Sequence, residues 1–174
     1  MNEQGPKIEY ASFIQEIKDM FDKDQEMRQR ALENDGVIEN EEDDSLDLKH
    51  TERMKEIVNQ IGWPTISKVG IEVSNMAWLL VQHSDHDVEF QKKCLELMKT
   101  QTGEVSKRNV AYLEDRVRVN EGRPQLYGTQ FGGEGENYGP RPIEEPEKVN
   151  ERRAELGMEP LEEYAKILKE KYKA

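Results

Sequence analysis

The chain has 174 residues, of which 34% are hydrophobic and 36% are charged. Its 37 acidic residues outnumber its 25 basic residues, and the formal net charge is -12. A chain of this sign repels a phosphate backbone, so we predict that it has no nucleic-acid partner. The length fits one domain with a core, and the high charge predicts polar segments outside that core.

Two further features bear on where the protein acts. The single cysteine, Cys94, cannot form an intramolecular disulfide, and the chain opens without the basic, apolar and small-residue regions of a secretion signal. The most apolar run, residues 76–81, is far shorter than the ~20 residues that cross a bilayer. We therefore expect a cytoplasmic protein that has no membrane-spanning segment.

Apolar residues at three- and four-residue steps predict a series of helices. The first covers residues 8–32, and the second covers 46–61 and ends at Gly62. After Trp63-Pro64 and a short turn at 65–70, residues 71–83 are apolar on nearly every side, which is typical of a buried central helix. Two more helices are predicted at 87–100 and 106–119.

An acidic stretch interrupts this series at residues 33–47. It contains the turn signal Asn34-Asp35-Gly36 and five acidic residues between positions 39 and 44. Such a stretch lacks the apolar side chains that would fix it in a core. We interpret it as a mobile acidic loop, and an acidic metal site is the alternative.

Glycine and proline dominate the region from 122 to 142, which excludes a helix there. We predict a strand at 125–131, a Gly-rich loop within 132–142 and a return at 141–143. Two last helices are predicted near 146–156 and 161–172. The expected fold is therefore mainly α. It is a compact multi-helix single domain at 8–172, with a small hairpin or extended Gly/Pro-rich segment before the C-terminal helices.

Polar side chains occupy positions that helical spacing assigns to this core. On the first helix the apolar stripe continues to Asp24 and Arg28, which are four residues apart and can pair. On the second helix His50 extends the apolar face. The alternatives are a surface ion pair for Asp24 and Arg28, and for His50 a core histidine that binds a backbone carbonyl.

The predicted central helix ends in Gln82-His83, where a core meets a cavity or solvent. An imidazole at such a place can act as a general acid or base, so His83 is the leading catalytic candidate and His50 the second. The alternative for His83 is a histidine that complements the dipole at the end of a helix. Gln91 occupies an inward position on the next helix, which predicts a buried amide that needs partners.

Arg116 is expected at the edge of the core face of the helix at 106–119, beside Asp115. A guanidinium so placed can hold a carboxylate or phosphate through two parallel hydrogen bonds. A salt bridge that joins two helices is the alternative for this arginine.

The segment 125–130 places Gln125, Tyr127 and Gln130 around Gly128, a residue that permits close backbone approach. These three side chains could form one wall of a pocket. The alternative is a regular strand in which Leu126 faces the core. Together with the helical positions, they amount to more inward polarity than a core of low hydrophobicity would carry without a purpose.

These positions carry motifs that resemble an uncharacterised bacterial family of domain-of-unknown-function proteins. The motifs are D-Q-x-x-R at 24–28, G-W-P at 62–64, A-W-x-x-x-Q-H at 77–83, D-R at 115–116 and Q-x-Y-G-T-Q at 125–130. The likeness runs from about residue 14 to residue 164, and it also includes His50 and Gln91. It implies no reaction, but it supports treating the polar positions as one site.

Several enzyme classes are not indicated. The sequence has no P-loop, no dinucleotide-binding glycine motif, no G-x-S-x-G and no H-E-x-x-H, so no cofactor is predicted. His83 and His86 could share a metal only if the helix boundary between them allowed it, and no metal is predicted. Cys94 lies on an apolar face without a nearby base, which argues against a nucleophile.

Three functional hypotheses follow. The favoured one is a small hydrolase, lyase or transferase that acts on a polar or anionic small molecule or a modified side chain. In it His83 is the general acid or base, and His50 orients the ligand or shares the proton. Arg28 and Arg116 bind the anionic group of the ligand. The predicted ligand-binding residues are Asp24, Arg28, Gln82, Gln91, Arg116, Gln125, Tyr127 and Gln130. The others are a non-catalytic binding module, which uses the same pocket or the acidic surface, and a helical scaffold.

Overall fold

A computed structural model describes residues 8–33 and 45–172 of the chain. The predicted acidic loop at 33–47 therefore lies almost entirely outside the described residues. The described residues are mainly α-helical, which confirms the predicted fold class. The chain groups into two compact units, one ending at Ser106 and the other beginning at Lys107, and each is described by itself. The predicted limits of a single domain at 8–172 stay a prediction.

The described part of the first unit contains five α-helices. These are α1 (Ala11–Glu33), α2 (Leu46–Ile61), α3 (Ile66–Val69), α4 (Ile71–Gln82) and α5 (Val88–Lys99), and a 3₁₀ turn at Ile8–Tyr10 precedes α1. Helix α4 packs against each of the other four, as the prediction of a central helix requires. It buries Val73, Ala77 and Val81, whereas Ile71 at its first position is 61% exposed.

Local sequence explains where these helices begin and end. Helix α2 ends because Gly62 adopts φ 68°, and the Gly62 N–H binds the carbonyl of Val58. This left-handed conformation suits glycine. The Lys68 ammonium then donates to the carbonyls of Ile61 and Trp63 near that helix end. Helix α5 begins at a side-chain cap, since Asp87 accepts the N–H of Phe90 at 2.9 Å.

The second unit contains, in its described part, three α-helices and a two-stranded hairpin. The helices are α6 (Lys107–Asn120), α7 (Val149–Glu155) and α8 (Leu161–Tyr172). Strands β1 (Phe131–Gly132) and β2 (Gly139–Pro140) pair antiparallel, with Phe131 opposite Pro140. The small hairpin expected before the C-terminal helices is therefore confirmed.

The predicted strand at 125–131 is nevertheless wrong in extent, because the paired strand begins only at Phe131. Residue 125 makes a single isolated bridge to Ile143. The backbone N–H groups of Leu126, Tyr127 and Thr129 bind the side chain of Asp115 instead. A backbone whose donors bind a side chain cannot offer them to a strand ladder.

Candidate functional site

His83 lies at the C-terminal end of α4 and is partly exposed. It follows the last helical residue, and its N–H still binds the carbonyl of Leu79 at 3.2 Å. The next residue, Ser84, turns the chain because its N–H binds the carbonyl of Val81. The His83 side chain keeps 17% of its surface accessible. The ring therefore lies between the core and the solvent, as its place in the sequence predicts.

The residue that holds His83 is Asp24 of α1. Asp24 is fully buried, on the stripe that also contains Ile17 and Met20. Its Oδ1 lies 2.8 Å from Nδ1 of His83 and 3.1 Å from Nε of Arg28, and its Oδ2 accepts a hydrogen bond from the Gln25 amide. The alternative of a surface ion pair is therefore wrong for Asp24.

These contacts keep the buried carboxylate ionised. Burial alone raises the pKa of Asp24, but the hydrogen bonds and charges of His83 and Arg28 outweigh burial and lower it below its ordinary value. An ionised carboxylate only accepts hydrogen bonds. The close Asp24–His83 contact therefore needs a proton on Nδ1 of the ring.

That proton fixes the state of the opposite ring nitrogen. With Nδ1 protonated, Nε2 of the neutral ring carries a lone pair. Within the described residues, the hydrogen bonds of the His83 ring are made by Nδ1. Arg28 Nε also lies 3.0 Å from Nδ1 of His83. Because Nδ1 carries a proton and cannot accept, the Nε–H of Arg28 donates to Asp24 instead. The Asp24–His83 dyad thus presents Nε2 as the atom for proton transfer.

Arg28 connects this dyad to a second carboxylate that the sequence analysis missed. Its Nη2 lies 3.1 Å from Oδ1 of Asp24 and 2.8 Å from Oδ1 of Asp47 at the start of α2. The side chains of Arg28 and Asp47 are 35% and 33% exposed. No periodicity signals Asp47, because it lies at the edge of the acidic stretch and its partner is nineteen residues away.

His50 lies one turn after Asp47 and is buried. Only 7% of its surface is accessible, and its Nδ1 has no hydrogen-bond partner among the described residues. Burial lowers the pKa of His50, although the charges of Asp24 and Asp47 oppose this. A buried imidazole in this environment is neutral near pH 7. Its predicted role as a second proton-transfer group stays a prediction.

The chain beside His83 is held by buried hydroxyl groups. Thr51 Oγ1 lies 2.7 Å from the Asp47 carbonyl oxygen and 2.8 Å from Oγ of Ser84, which itself binds the carbonyl of Leu80. These contacts join α2 to the end of α4. They fix the backbone on which His83 and Asp47 are carried.

Gln91 and Gln82 differ in how well their amides are satisfied. Gln91 is fully buried, and its Nε2 lies 3.1 Å and 3.3 Å from the carbonyls of Val81 and Gln82. It is also 3.2 Å from Oδ1 of Asp85. Gln91 therefore stabilises the turn between α4 and α5, as a buried amide should. Oε1 of Gln82 is buried and lacks a partner among the described residues.

The second unit has its own buried carboxylate, Asp115 of α6. Its two oxygens accept the N–H groups of Leu126, Tyr127 and Thr129 at 2.7 to 3.2 Å and the Thr129 hydroxyl at 2.9 Å. Burial raises the pKa of Asp115, and these hydrogen bonds oppose the rise. Asp115 holds a loop in place, and the only sequence signal for it was its motif beside Arg116.

Gln125 completes the same loop. It is fully buried, and its amide donates to the carbonyls of Gln130 and Arg141, both at 2.9 Å, while its oxygen accepts the N–H of Gln130. Gln130 in turn accepts a hydrogen bond from Arg116 at 3.2 Å. The side chain of Tyr127 is half-buried, and burial raises its pKa. The alternative of a regular strand with Leu126 in the core is wrong, since Leu126 is only half-buried.

Arg153 of α7 is a buried cation that the sequence analysis did not single out. It has no exposed surface, it donates to the carbonyls of Tyr127 and Glu159, and its guanidinium carbon lies 4.9 Å from the ring centroid of Tyr164. The helix around Arg153 is rich in glutamate and arginine, as a solvent-exposed helix is, so the sequence does not indicate that one of its arginines is buried. Asp115 and Arg153 therefore stabilise the same loop, because Asp115 binds the N–H of Tyr127 and Arg153 binds its carbonyl.

Eight of the ten predicted site residues come together in two groups, one within each unit, and Gln82 and Gln91 belong to neither because they lie around the turn between α4 and α5. The first group is Asp24, Arg28 and His83 with Asp47, beside His50. The second group is Arg116, Gln125, Tyr127 and Gln130 with Asp115. That all of them form one site stays a prediction. The hydrogen bonds of Asp115 and Gln125 hold their own loop, so the first group is the candidate for acid–base chemistry.

The other side chains that could act as a nucleophile, a base or a metal ligand are less suitably placed. Cys94 is fully buried, and burial raises the pKa of its thiol to about 12. His86 is exposed on the turn before α5. In the ranges 8–33 and 45–172, no three His, Cys, Asp or Glu side chains are grouped to hold a metal ion. These features leave the Asp24–His83 dyad as the candidate site.

Comparison with known proteins places the chain without assigning a reaction. Across the described ranges, no helix is both long enough and apolar enough to cross a membrane. Neither a curated protein nor a solved structure matches the sequence significantly. The model of a family of unknown function, DUF6624, matches residues 11–174. This agrees with the family likeness of the polar motifs, and the chain belongs to the DUF6624 family.

Proposed function

We propose that this protein is a small acid–base enzyme in which Nε2 of His83 transfers protons. The observation that carries the proposal is the 2.8 Å contact between His83 and the fully buried Asp24, which leaves the opposite face of a partly exposed imidazole for a reactant. A carboxylate that orients a histidine in this way sets its tautomer and stabilises the imidazolium that forms when the ring acts as a general base. The reaction class is hydrolysis, elimination or group transfer on a polar small molecule or modified side chain.

The proposed chemistry uses the two ring nitrogens in different ways. Nε2 takes a proton from water or a substrate hydroxyl as its oxygen forms the new bond, and the ring becomes an imidazolium. Asp24 stabilises that charge through Nδ1 without taking the proton. The imidazolium then returns the proton from Nε2 to the leaving group, which restores the neutral ring.

Arg28 and His50 support this chemistry from either side. Arg28 binds both Asp24 and Asp47, so it prevents the carboxylate of Asp24 from rotating away from His83. His50 is buried and neutral, and it is therefore a hydrogen-bonding group rather than a second charged acid near pH 7. In this proposal Asp24 and Arg28 are positioning residues, and His83 is the catalytic residue.

A generic ester tests the proposal before the substrate is known. p-Nitrophenyl acetate is hydrolysed when an imidazole activates water or attacks the ester carbonyl and then passes the acetyl group to water, and the released nitrophenolate is read by absorbance. We expect the wild-type rate to exceed that of His83→Gln by about tenfold or more, because general-base catalysis contributes at least this much. His86→Gln is the matched control, since His86 is an exposed histidine three residues away.

The control must keep the wild-type rate, and urea unfolding must show that both variants are folded. Equal hydrolysis by wild type and His83→Gln contradicts the proposal. A non-catalytic binding module predicts a wild-type rate no higher than that of free imidazole at the same concentration.

A further inference from the structure

Arg28 was expected to bind an anionic group, but its guanidinium is already shared by two carboxylates. Nη2 lies 3.1 Å from Asp24 and 2.8 Å from Asp47, and Nε lies 3.1 Å from Asp24. With a neutral His83, these groups carry two negative charges and one positive charge. Nη1 has no partner among the described residues, but an anion there would lie beside two carboxylates, and like-charge repulsion disfavours this.

Asp47 offers the opposite kind of contact. Its Oδ1 binds Arg28, and within the described residues Oδ2 has no hydrogen-bond donor. The side chain is 33% exposed, so solvent reaches part of the Asp47 side chain. Asp47 is connected to His83 through Arg28 and Asp24, each link being 3.1 Å or less. A carboxylate oxygen without a described donor therefore belongs to the same hydrogen-bonded cluster as the His83 ring.

His50 adds a second acceptor on the same helix face. It follows Asp47 by three residues, which places the two on one side of α2. Its Nδ1 is buried without a partner among the described residues, and a buried polar atom of this kind indicates a missing hydrogen bond. Both carboxylates act electrostatically on this ring. The Asp47 carboxylate, with a neutral ring rather than a second cation one turn further along the helix, suits a donor-rich cation.

The wider charge distribution favours the same ligand. Residues 8–33 and 45–106, the described part that carries Asp24, Asp47 and His83, hold 16 acidic and 11 basic side chains. A field of this sign raises the local concentration of cations and lowers that of anions.

We propose that the site takes a substrate with a positively charged ammonium or guanidinium group, which binds Asp47 while the reacting bond lies at His83. This inference rests on the proposed function of His83. It makes Asp47 a specificity-determining residue, and it replaces the expectation that Arg28 receives an anion.

Three small probes of similar size separate the possibilities. Methylguanidinium, N-methylurea and acetate are titrated into the full chain at constant ionic strength, and the imidazole Cε1–H signal of His83 is followed by NMR. Methylguanidinium should shift the signal saturably and bind about fivefold more tightly than uncharged N-methylurea, the ratio that one partly exposed ion pair supplies. Acetate should give no saturable shift.

Variants at position 47 assign the effect. Asp47→Asn should remove the preference for methylguanidinium over N-methylurea, and Asp47→Glu should restore it, because only the charge is needed. Glu52→Gln is the matched control, since it removes one negative charge from the exposed side of the same helix and should leave the ratio unchanged.

The inference is overturned if acetate binds more tightly than methylguanidinium, or if Asp47→Asn keeps the wild-type ratio. The titration does not depend on turnover. If hydrolysis requires His83 but the titration shows no preference for methylguanidinium, only this inference is contradicted. Cation binding at Asp47 without hydrolysis contradicts only the acid–base function.

Discussion

Asp24 Oδ1 and His83 Nδ1 lie 2.8 Å apart although the two residues are 59 positions apart in the chain. The contact exists because α1 packs against α4, which brings the buried stripe of α1 to the C-terminal end of the central helix. A buried carboxylate with one histidine and one arginine as partners has both structural and chemical consequences, and these can be separated by mutation.

Asp24→Asn should lower both stability and hydrolysis. The amide keeps the shape of the carboxylate but loses its charge, so the hydrogen bonds to His83 and Arg28 weaken, and we expect a loss of about 2 kcal/mol in the free energy of unfolding. Hydrolysis of p-nitrophenyl acetate should fall by about tenfold in protein that remains folded, because the imidazolium loses its stabilising charge. Urea titration and initial rates measure the two effects.

The comparison for this variant is Asp19→Asn, an exposed carboxylate on the same helix that pairs only with Gln15 among the described residues. Its stability and rate should stay near wild type. If Asp24→Asn unfolds more readily but hydrolyses the ester at the wild-type rate, Asp24 is purely structural.

His50 should make the protein less stable as the pH falls below neutrality. Its folded pKa lies below the ordinary value of 6.5 because burial disfavours the charged ring. As the pH falls through 6.5, the unfolded chain binds a proton on His50 before the folded chain does. The free energy of unfolding therefore decreases as the pH falls from 6.5 toward the lowered pKa of the folded protein. The free energy of unfolding in urea at pH 7.5 and 5.5 measures this loss.

His50→Gln removes the titrating group and should reduce the difference between the two pH values. Asp24 does not interfere in this window, because its lowered pKa affects stability only below its unfolded pKa near 3.8. An unchanged difference in His50→Gln would show that another group is responsible.

Asp115→Asn should destabilise the second unit strongly. The carboxylate accepts hydrogen bonds from three backbone N–H groups and the Thr129 hydroxyl, whereas an amide presents its own N–H₂ to one side of that set. Leaving buried donors unsatisfied costs about 1 to 3 kcal/mol for each, so we expect a loss of about 3 kcal/mol. Thermal unfolding measures it.

The control for this variant is Glu170→Gln, an exposed carboxylate on α8. It changes the net charge equally and should leave the melting temperature unchanged. A melting temperature for Asp115→Asn that matches the control would mean that the loop at 126–129 is held by other contacts.

Gly128 and Gly122 form a matched pair that isolates a packing contact. Both have positive φ, 68° and 74°, so alanine costs about 1 to 2 kcal/mol at each through the backbone alone. A Cβ on Gly128 would lie 2.7 Å from Cδ1 of Leu161, whereas a Cβ on Gly122 has no heavy atom within 4 Å.

Gly128→Ala should therefore be less stable than Gly122→Ala by about 1 to 3 kcal/mol, the usual cost of overpacking. Chemical unfolding of the two variants gives the difference directly. Equal losses would mean that Leu161 moves away at no cost, so that α8 does not press on the loop at Gly128.

The sequence by itself determined the helices and several of the reactive residues. Three- and four-residue periodicity placed α1, α2, α4, α5 and α6 with small errors at their ends, because a buried stripe must recur with the helix turn. The same periodicity predicted that Asp24 and His50 point inward and that His83 lies at a helix end. The Asp24–Arg28 pair followed from spacing alone, since residues four apart meet on one helix.

Only the tertiary structure decided which of these residues meet. Nothing in the spacing along the chain joins Asp24 to His83 or Arg28 to Asp47, because contacts between helices depend on packing geometry rather than on local pattern. The segment at 125–130 was predicted as a strand because local propensity cannot show that Asp115 takes its backbone donors. Periodicity gives the direction in which a side chain points, and the fold supplies the partner that decides its chemistry.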